Sequence, residues 1–237
     1  MPRLLEVCVD DPDGLAAALR GGADRIELCS ALALGGLTPS AGFMRLAATA
    51  PVPVYAMIRP RAGDFVFSPD EADSMLRDIE VAREAGLSGV VLGVSREDAR
   101  LDIELLERLL AAAHGLGATL HRAFDLVPDL SDALEDAIAL GFQRILTSGG
   151  ARRAVDGAEF LAELFDRARG RIAIMPGSGV TSATLPTLME RLPIREVHSS
   201  CSSPRPIRSH QAKHLGFAGQ GERRTDESVV RALKALL

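Results

Sequence analysis

Short runs of strand character alternate with helical stretches eight times along this chain of 237 residues. Such alternation is typical of parallel βα units, and eight of them fit the length of one α/β barrel. The sequence therefore predicts a single (β/α)₈ TIM barrel over residues 1–237, with a long loop before the last helix. The expected strands cover 4–9, 24–29, 53–58, 89–92, 117–121, 143–147, 171–175 and 195–199.

A doubly wound open sheet is the alternative fold for this pattern. That fold would carry a Gly-x-Gly-x-x-Gly motif after the first strand, where it binds a dinucleotide. The chain instead has Asp-Asp-Pro-Asp-Gly at 10–14, so the barrel is favoured.

Signals for helix boundaries fall between the expected strands. A capping side chain precedes a proline at Asp11-Pro12, Thr38-Pro39 and Ser68-Pro69, and Ser68 with Glu71 forms a capping-box pattern. The stretch 200–225 is rich in Ser, Pro, Arg and Gly, and we expect it to be a loop before a final helix over 226–237. Glycines mark the expected helix ends at Gly21, Gly86, Gly115, Gly141 and Gly170.

The composition argues against several classes of protein. With 47% hydrophobic and 25% charged residues, the chain has the composition of a soluble globular protein. A net charge of -5, with no Trp and one Tyr, argues against nucleic-acid binding. No apolar run approaches the roughly 20 residues of a membrane span, and the first residues lack the pattern of a signal peptide. We therefore expect a cytoplasmic protein that binds neither nucleic acid nor membranes.

Polar side chains are expected inside the barrel, near the strand ends where active sites of this fold form. Alternate strand residues point to opposite faces, so one set should face inward. This set contains Glu6, Cys8, Arg25, Glu27, Cys29, Met57, Arg59, His121, Glu196 and His198. Because buried charges are costly unless paired, Glu6, Arg25, Glu27 and Glu196 form either an internal salt-bridge lattice or part of a site.

The loops after four of the expected strands carry candidate anion-binding groups. Paired arginines suit a carboxylate or phosphate, and small-residue loops after the last strands of a barrel commonly bind phosphate through backbone amides. The candidates are Arg59, Arg61, Thr147, Ser148, Gly177, Gly179, His198 and Ser199. The alternatives without a bound anion are that the two arginines are simply exposed to solvent and that the glycine-rich loops are ordinary turns.

His121, at the end of the fifth expected strand, is the candidate general acid or base. Asp125 or Glu27 would orient its ring, and these three residues form the candidate catalytic set. The alternative is a hydrogen-bonded histidine with a structural role.

The three cysteines, Cys8, Cys29 and Cys201, are too few for the disulfide framework of a secreted protein and should be free thiols. Their spacing matches no zinc motif. They are either small buried hydrophobic residues or, with Met57 or Met175 nearby, part of a soft site for Cu(I).

Seven runs of the sequence, in order from residue 4 to about 200, resemble the CutC copper homeostasis family. They are LEVCV (5–9), GGADRIELC (21–29), GGLTPS (35–40), IRPR with GDF (58–65), HRAFD (121–125), LTSG (146–149) and EVHSS (196–200). The resemblance implies a cytoplasmic (β/α)₈ barrel, a link to copper tolerance, and a homo-oligomer. It points to Cys8 and Cys29 as ligands of Cu(I), whereas Cys201 and the stretch to Thr225 lie outside it.

Two hypotheses of function follow. The leading one is a Cu(I)-binding or trafficking protein with Cys8 and Cys29 on neighbouring strands, which are about 4.8 Å apart. Barrel shear could place the two cysteines in different layers and separate their sulfurs. The alternative is a barrel enzyme acting on a small phosphorylated or carboxylated metabolite, with His121 and Glu27 transferring protons.

Overall fold

A computed structural model describes residues 3–207, 209–216 and 222–237 of the chain. Its barrel strands are β1 (Leu4–Val9), β2 (Arg25–Leu28), β3 (Val54–Met57), β4 (Gly89–Leu92), β5 (Gly117–Leu120), β6 (Arg144–Thr147), β7 (Ala173–Pro176) and β8 (Glu196–Ser199). They pair in the order β7-β6-β5-β4-β3-β2-β1-β8, and β7 lies against β8 to complete the ring. The predicted (β/α)₈ barrel is confirmed, and each strand agrees with its expected range to within two residues at either end.

Helices cover the outside of the barrel. They are α1 (Pro12–Gly21), α2 (Ala41–Ala47), α3 (Pro69–Glu84), α4 (Ile103–Ala112), α5 (Leu130–Ala139), α6 (Ala158–Ala168), α7 (Leu185–Arg191), α8 (His210–His214) and α9 (Glu227–Lys234). Short 3-10 helices at Leu32–Leu34 and Arg122–Leu126 follow β2 and β5. Fully buried strand residues such as Leu5 and Val7 pack with helix residues such as Leu15, because alternate strand side chains point outward. No helix in the described ranges is both long and apolar enough to cross a membrane.

Two of the three predicted helix caps are confirmed. Asp11 accepts a hydrogen bond from Gly14 N, and Ser68 forms the reciprocal capping box with Glu71. The prediction for Thr38 was wrong, because Ser40 caps α2 instead. The backbone N–H of Thr38 bonds the carbonyl of Arg59 at 3.0 Å, and its Oγ1 accepts from Arg59 N at 3.0 Å. These two bonds hold Thr38 beside β3, away from the helix start.

The stretch 200–225 has more structure than the predicted loop. Strands β9 (Ser202–Pro204) and β10 (Arg223–Thr225) pair antiparallel, and α8 lies between them in sequence. Asp226 N bonds Cys201 O at 2.9 Å, and Thr225 Oγ1 donates to Cys8 O at 3.4 Å. These bonds attach the β9–β10 pair to the mouth of the barrel. The loop prediction for Arg208 and for 217–221 concerns residues outside the described ranges.

Gly21 ends α1, as predicted, and its missing side chain allows the last helix to pack. A Cβ at Gly21 would overlap Val230 of α9 and come within 3.0 Å of the Glu227 carbonyl. We expect Gly21→Ala to lower the free energy of unfolding by about 1 to 3 kcal/mol, because α9 must shift to make room.

The matched control is Gly42→Ala in α2. Gly42 is exposed, and beyond the backbone of its own helix the atom nearest to a new Cβ would be Ser40 Oγ at 3.9 Å. Alanine favours helix over glycine, so this variant should gain about 0.5 to 1 kcal/mol. Urea unfolding of both variants tests the packing, and equal midpoints would contradict it.

Candidate functional site

An ion-pair lattice occupies the barrel interior near the amino ends of the strands. Arg25 donates from Nε to Glu6 and from Nη2 to Glu196 Oε2 at 2.6 Å, and Arg144 Nε donates to the same Glu196 oxygen at 3.0 Å. Both guanidinium groups lie over the Tyr55 ring, 5.5 and 5.0 Å from its centroid. Because two carboxylates and two guanidinium groups balance each other here, the salt-bridge alternative fits these residues.

His198 connects this lattice to the mouth of the barrel. Its Nδ1 lies 2.8 Å from Glu6 Oε1, and its Nε2 lies 3.8 Å from Glu27 Oε2. Burial disfavours the imidazolium, but Glu27, Cys8 and Glu6 outweigh burial and raise the pKa of His198 well above its ordinary value. Burial likewise opposes ionisation of Glu6, yet Arg25 and His198 lower its pKa to about 2. His198 therefore lies between two carboxyl groups that favour the protonated form of its ring.

Cys8, Glu27 and His198 form a cluster in this mouth. Cys8 stands opposite Glu27 in the pairing of β1 with β2. One ligand atom from each of the three side chains lies within 4.8 Å of the other two. Burial raises the pKa of the Cys8 thiol and of the Glu27 carboxyl. Within the described ranges, this cluster has the side chains and spacing that could hold a metal ion.

Cys29 lies one layer of side chains nearer to the carboxyl ends of the strands than Cys8 does. Its backbone N–H bonds the carbonyl of Val9 at 2.8 Å, and its thiol donates to Glu27 Oε2 at 3.5 Å. Burial, and then the charge of Glu27, raise the pKa of Cys29 well above its ordinary value. Both cysteines are free thiols that approach Glu27, but from different layers of the barrel interior.

Arg59, Phe65 and His121 form the opposite side of the mouth. The Arg59 guanidinium carbon lies 4.9 Å from the centre of the Phe65 ring, and the His121 ring centre lies 4.6 Å from it. Burial, and then the charge of Arg59, lower the pKa of His121 to about 3. His121 is therefore neutral at physiological pH.

Neither Asp125 nor Glu27 orients His121, so both expected partners were wrong: Nε2 of His121 has no hydrogen-bond partner in the described ranges. Asp125 Oδ1 accepts hydrogen bonds from Thr147 Oγ1 at 2.5 Å and from Ser148 N at 3.1 Å. His121 is held instead by Ala123, whose backbone N–H donates to His121 Nδ1 at 3.1 Å. The candidates Asp125, Thr147 and Ser148 thus bind one another and fix the turns after β5 and β6.

Arg61 and Gly177 also lie apart from the open part of the mouth. Arg61 donates from Nε to Glu71 at 2.6 Å and from Nη2 to Asp64 at 2.9 Å. An added Cβ at Gly177 would overlap Leu146 Cδ1, whereas its distance of 3.4 Å to His198 Cβ would be an ordinary contact. The glycine therefore makes room for the Leu146 side chain, and this is a packing role.

A cavity of about 490 Å³ opens among the remaining candidates. The predicted site residues on its lining are Cys8, Glu27, Arg59, His121, Gly179, His198 and Ser199. Other parts of the lining were not among the predicted site residues: Phe65, Cys201 and an apolar wall that includes Leu34 and Val180. Phe65 could have been found from its place in the GDF run after β3, whereas the apolar residues carry no signal that separates them from the core.

The comparisons with known proteins agree with these motifs. The CutC family model matches residues 3–203. The family protein CutC of Sinorhizobium medicae (strain WSM419) is 61% identical over 234 residues, which cover 99% of this chain and 96% of that protein.

Solved structures give a similar result. CutC from Streptococcus agalactiae, a protein with a suggested role in copper homeostasis, is 33% identical with a TM-score of 0.80, and the match covers 84% of this chain and 98% of that one. Deoxyribose phosphate aldolase from Aeropyrum pernix is 14% identical with a TM-score of 0.61, over 83% of this chain and 85% of its own, and shares the fold alone. The predicted resemblance is confirmed: the chain belongs to the CutC family.

Proposed function

We propose that this chain takes part in copper homeostasis as a cytosolic protein that binds Cu(I) in the mouth of the barrel. The observation that carries the proposal is the approach of Cys8, His198 and Glu27 to within 4.8 Å of one another. Thiolate sulfur suits Cu(I), and imidazole is a common copper ligand. The copper-related role suggested for the Streptococcus agalactiae relative supports the same reading.

His198 is prepared for such a role by Glu6. The Glu6 carboxylate lies 2.8 Å from His198 Nδ1, which leaves Nε2 directed toward Cys8 and Glu27. Carboxylate–histidine pairs of this kind orient the ring in many metal sites. Because thiol and imidazolium must lose protons to bind a metal, uptake of Cu(I) should release protons.

Cys29 supplies a second sulfur in the proposed site. Its thiol donates to Glu27 Oε2 at 3.5 Å and must leave that carboxylate to reach the metal. Cys8 is therefore the primary sulfur ligand and Cys29 the secondary one. The homo-oligomer expected from the family resemblance stays a prediction, and light scattering would test it.

We expect Cys8→Ser to weaken Cu(I) binding by on the order of a hundredfold or more, since it removes the central soft ligand. Cys29→Ser should cause a smaller loss. The matched control is Cys201→Ser, because Cys201 is also buried on the cavity lining but does not belong to the cluster of Cys8, Glu27 and His198. Competition against a Cu(I) chelator under reducing conditions measures all three. Equal copper uptake by the wild type and a Cys8→Ser, Cys29→Ser double variant would refute the site.

A second candidate function is an enzyme acting on a small carboxylated or phosphorylated metabolite. One observation favours it: the cavity of about 490 Å³ is far larger than an ion needs and lies in the usual range of small-molecule sites. Glu27 and His121 both line it and are the proposed proton-transfer groups. A screen of the purified protein against a metabolite extract would reveal turnover, which Glu27→Gln should remove.

A further inference from the structure

Two buried hydrogen-bond donors on the cavity lining lack a partner among the described residues. They are Nε of Arg59 and Nε2 of His121. Both residues line the cavity, and the Phe65 ring contacts both. A buried donor left unpaired is destabilising, so native proteins rarely retain one without a ligand or water to satisfy it.

Arg59 is also a buried cation, and no carboxylate in the described part of the chain lies within ion-pair distance of it. Its side chain donates to the carbonyls of Leu34, Gly36 and Gly63 at 3.0, 3.1 and 2.7 Å, and these groups are neutral. Only 5% of the residue is exposed. Arg61, two residues later, has two carboxylate partners. A buried guanidinium group without a carboxylate favours an anionic ligand.

His121 is a neutral hydrogen-bond donor on the same cavity lining. Its Nδ1 accepts from Ala123 N, which puts the ring proton on Nε2. The low pKa of His121, about 3, keeps the ring uncharged. The pair of donors therefore carries a single positive charge, that of Arg59. One charge with two N–H groups matches a carboxylate better than a phosphate dianion.

Glu27 also lines the cavity, and it has a buried hydrogen-bond acceptor without a donor among the described residues. Its Oε2 accepts from the Cys29 thiol, while its buried Oε1 has no partner within the described ranges. A hydroxyl group both donates and accepts, so it can satisfy Oε1 whether or not Glu27 is protonated. Apolar side chains such as Leu34 and Val180 line the same cavity.

We propose that the barrel mouth binds a small hydroxy-carboxylic acid, with its carboxylate on Arg59 Nε and His121 Nε2 and a hydroxyl on Glu27 Oε1. The inference narrows the second candidate function to a substrate class. It does not depend on copper, and the experiment below is run without metal, so its outcome is separate from that of the chelator competition.

The test follows the His121 Nε2–H signal by NMR in wild-type protein labelled with ¹⁵N-histidine. The probes are glycolate, lactate, glycerate and gluconate. Hexanoate serves as the carboxylate without hydroxyl groups, sorbitol as the polyol without charge, and inorganic phosphate as the alternative anion. At least one hydroxy-carboxylate should shift the signal to saturation, with hexanoate binding about tenfold more weakly and sorbitol not at all.

Two arginine variants test whether the ligand binds at Arg59. Arg59→Met should abolish the shift, whereas Arg61→Met, which removes a neighbouring arginine away from the cavity lining, should keep it. The wild-type comparison of gluconate with sorbitol and hexanoate still decides the matter if Arg59→Met does not fold. The proposal is overturned if no hydroxy-carboxylate moves the signal, if sorbitol binds as well as gluconate, or if phosphate binds in place of the carboxylates.

Discussion

Arg25→Met is expected to lower the free energy of unfolding by about 3 to 5 kcal/mol, because it leaves the buried Glu6 carboxylate without its guanidinium partner. Arg25 bridges Glu6, whose side chain is 0% exposed, and Glu196. Burial alone would raise the pKa of Glu6, and the neighbouring cations reverse this effect. Methionine fills a similar volume but donates no hydrogen bond. Urea unfolding at neutral pH measures the loss.

Arg171→Met is the matched control for that variant. Arg171 also binds a carboxylate through its guanidinium group, but its side chain and that of its partner Glu135 are 43% and 57% exposed. Solvent screens such a pair, so the control should unfold close to the wild type. If both variants unfolded at the same urea concentration, the lattice would contribute no more than a surface ion pair.

Local patterns in the sequence predict most of the barrel. The alternation of polar and apolar residues in β1 put Glu6 and Cys8 on one face and Val7 on the other, and the structure confirms this division. The capping box at Ser68 is equally local, since all its atoms lie within one helical turn. Such features depend on neighbours in sequence, which is why they could be recognised without a structure.

The arrangement within the site depends on strand register, which the sequence does not reveal. The repeated Glu-x-Cys pattern invites a pairing of Cys8 with Cys29, but Cys8 stands opposite Glu27. This offset follows from the stagger that a closed barrel requires between adjacent strands. His198 stands opposite Glu6 on β8, far along the chain, and yet its ring approaches Cys8 and Glu27. No local pattern relates these positions.

The contacts of loop residues were equally hard to predict from the sequence, as Arg59 and Arg61 show. Both follow β3 and have the same chemistry, yet Arg59 lines the cavity while Arg61 binds Asp64 and Glu71. Asp125 was an expected partner of His121, but it binds Arg122 and the end of β6 instead. Segments farther along the chain therefore contribute to both outcomes, Glu71 of α3 for Arg61 and the end of β6 for Asp125.

The His121→Asn variant is expected to lose less stability than the wild type as the pH falls from 7 to 4. In the folded protein the pKa of His121 is about 3, against an ordinary value of 6.5. Between these two pH values the unfolded chain binds a proton that the folded chain excludes, so stability falls as the pH drops. The stability lost through His121 should reach roughly 2 to 3 kcal/mol by about pH 4.5, and more at lower pH.

The variant is chosen to remove the titration while keeping the local hydrogen bond. Asparagine can still accept from Ala123 N and is a good helix-capping residue, so the 3-10 helix Arg122–Leu126 should form. The cavity left by the ring lowers stability at every pH, whereas the loss through protonation grows only in acid. Urea unfolding from pH 7 to pH 4 separates the two effects. His114→Asn, at an exposed position, should keep the wild-type slope. A wild-type slope in His121→Asn as well would mean that the buried ring takes up its proton without opposing the fold, and that the neutral donor proposed for ligand binding is absent.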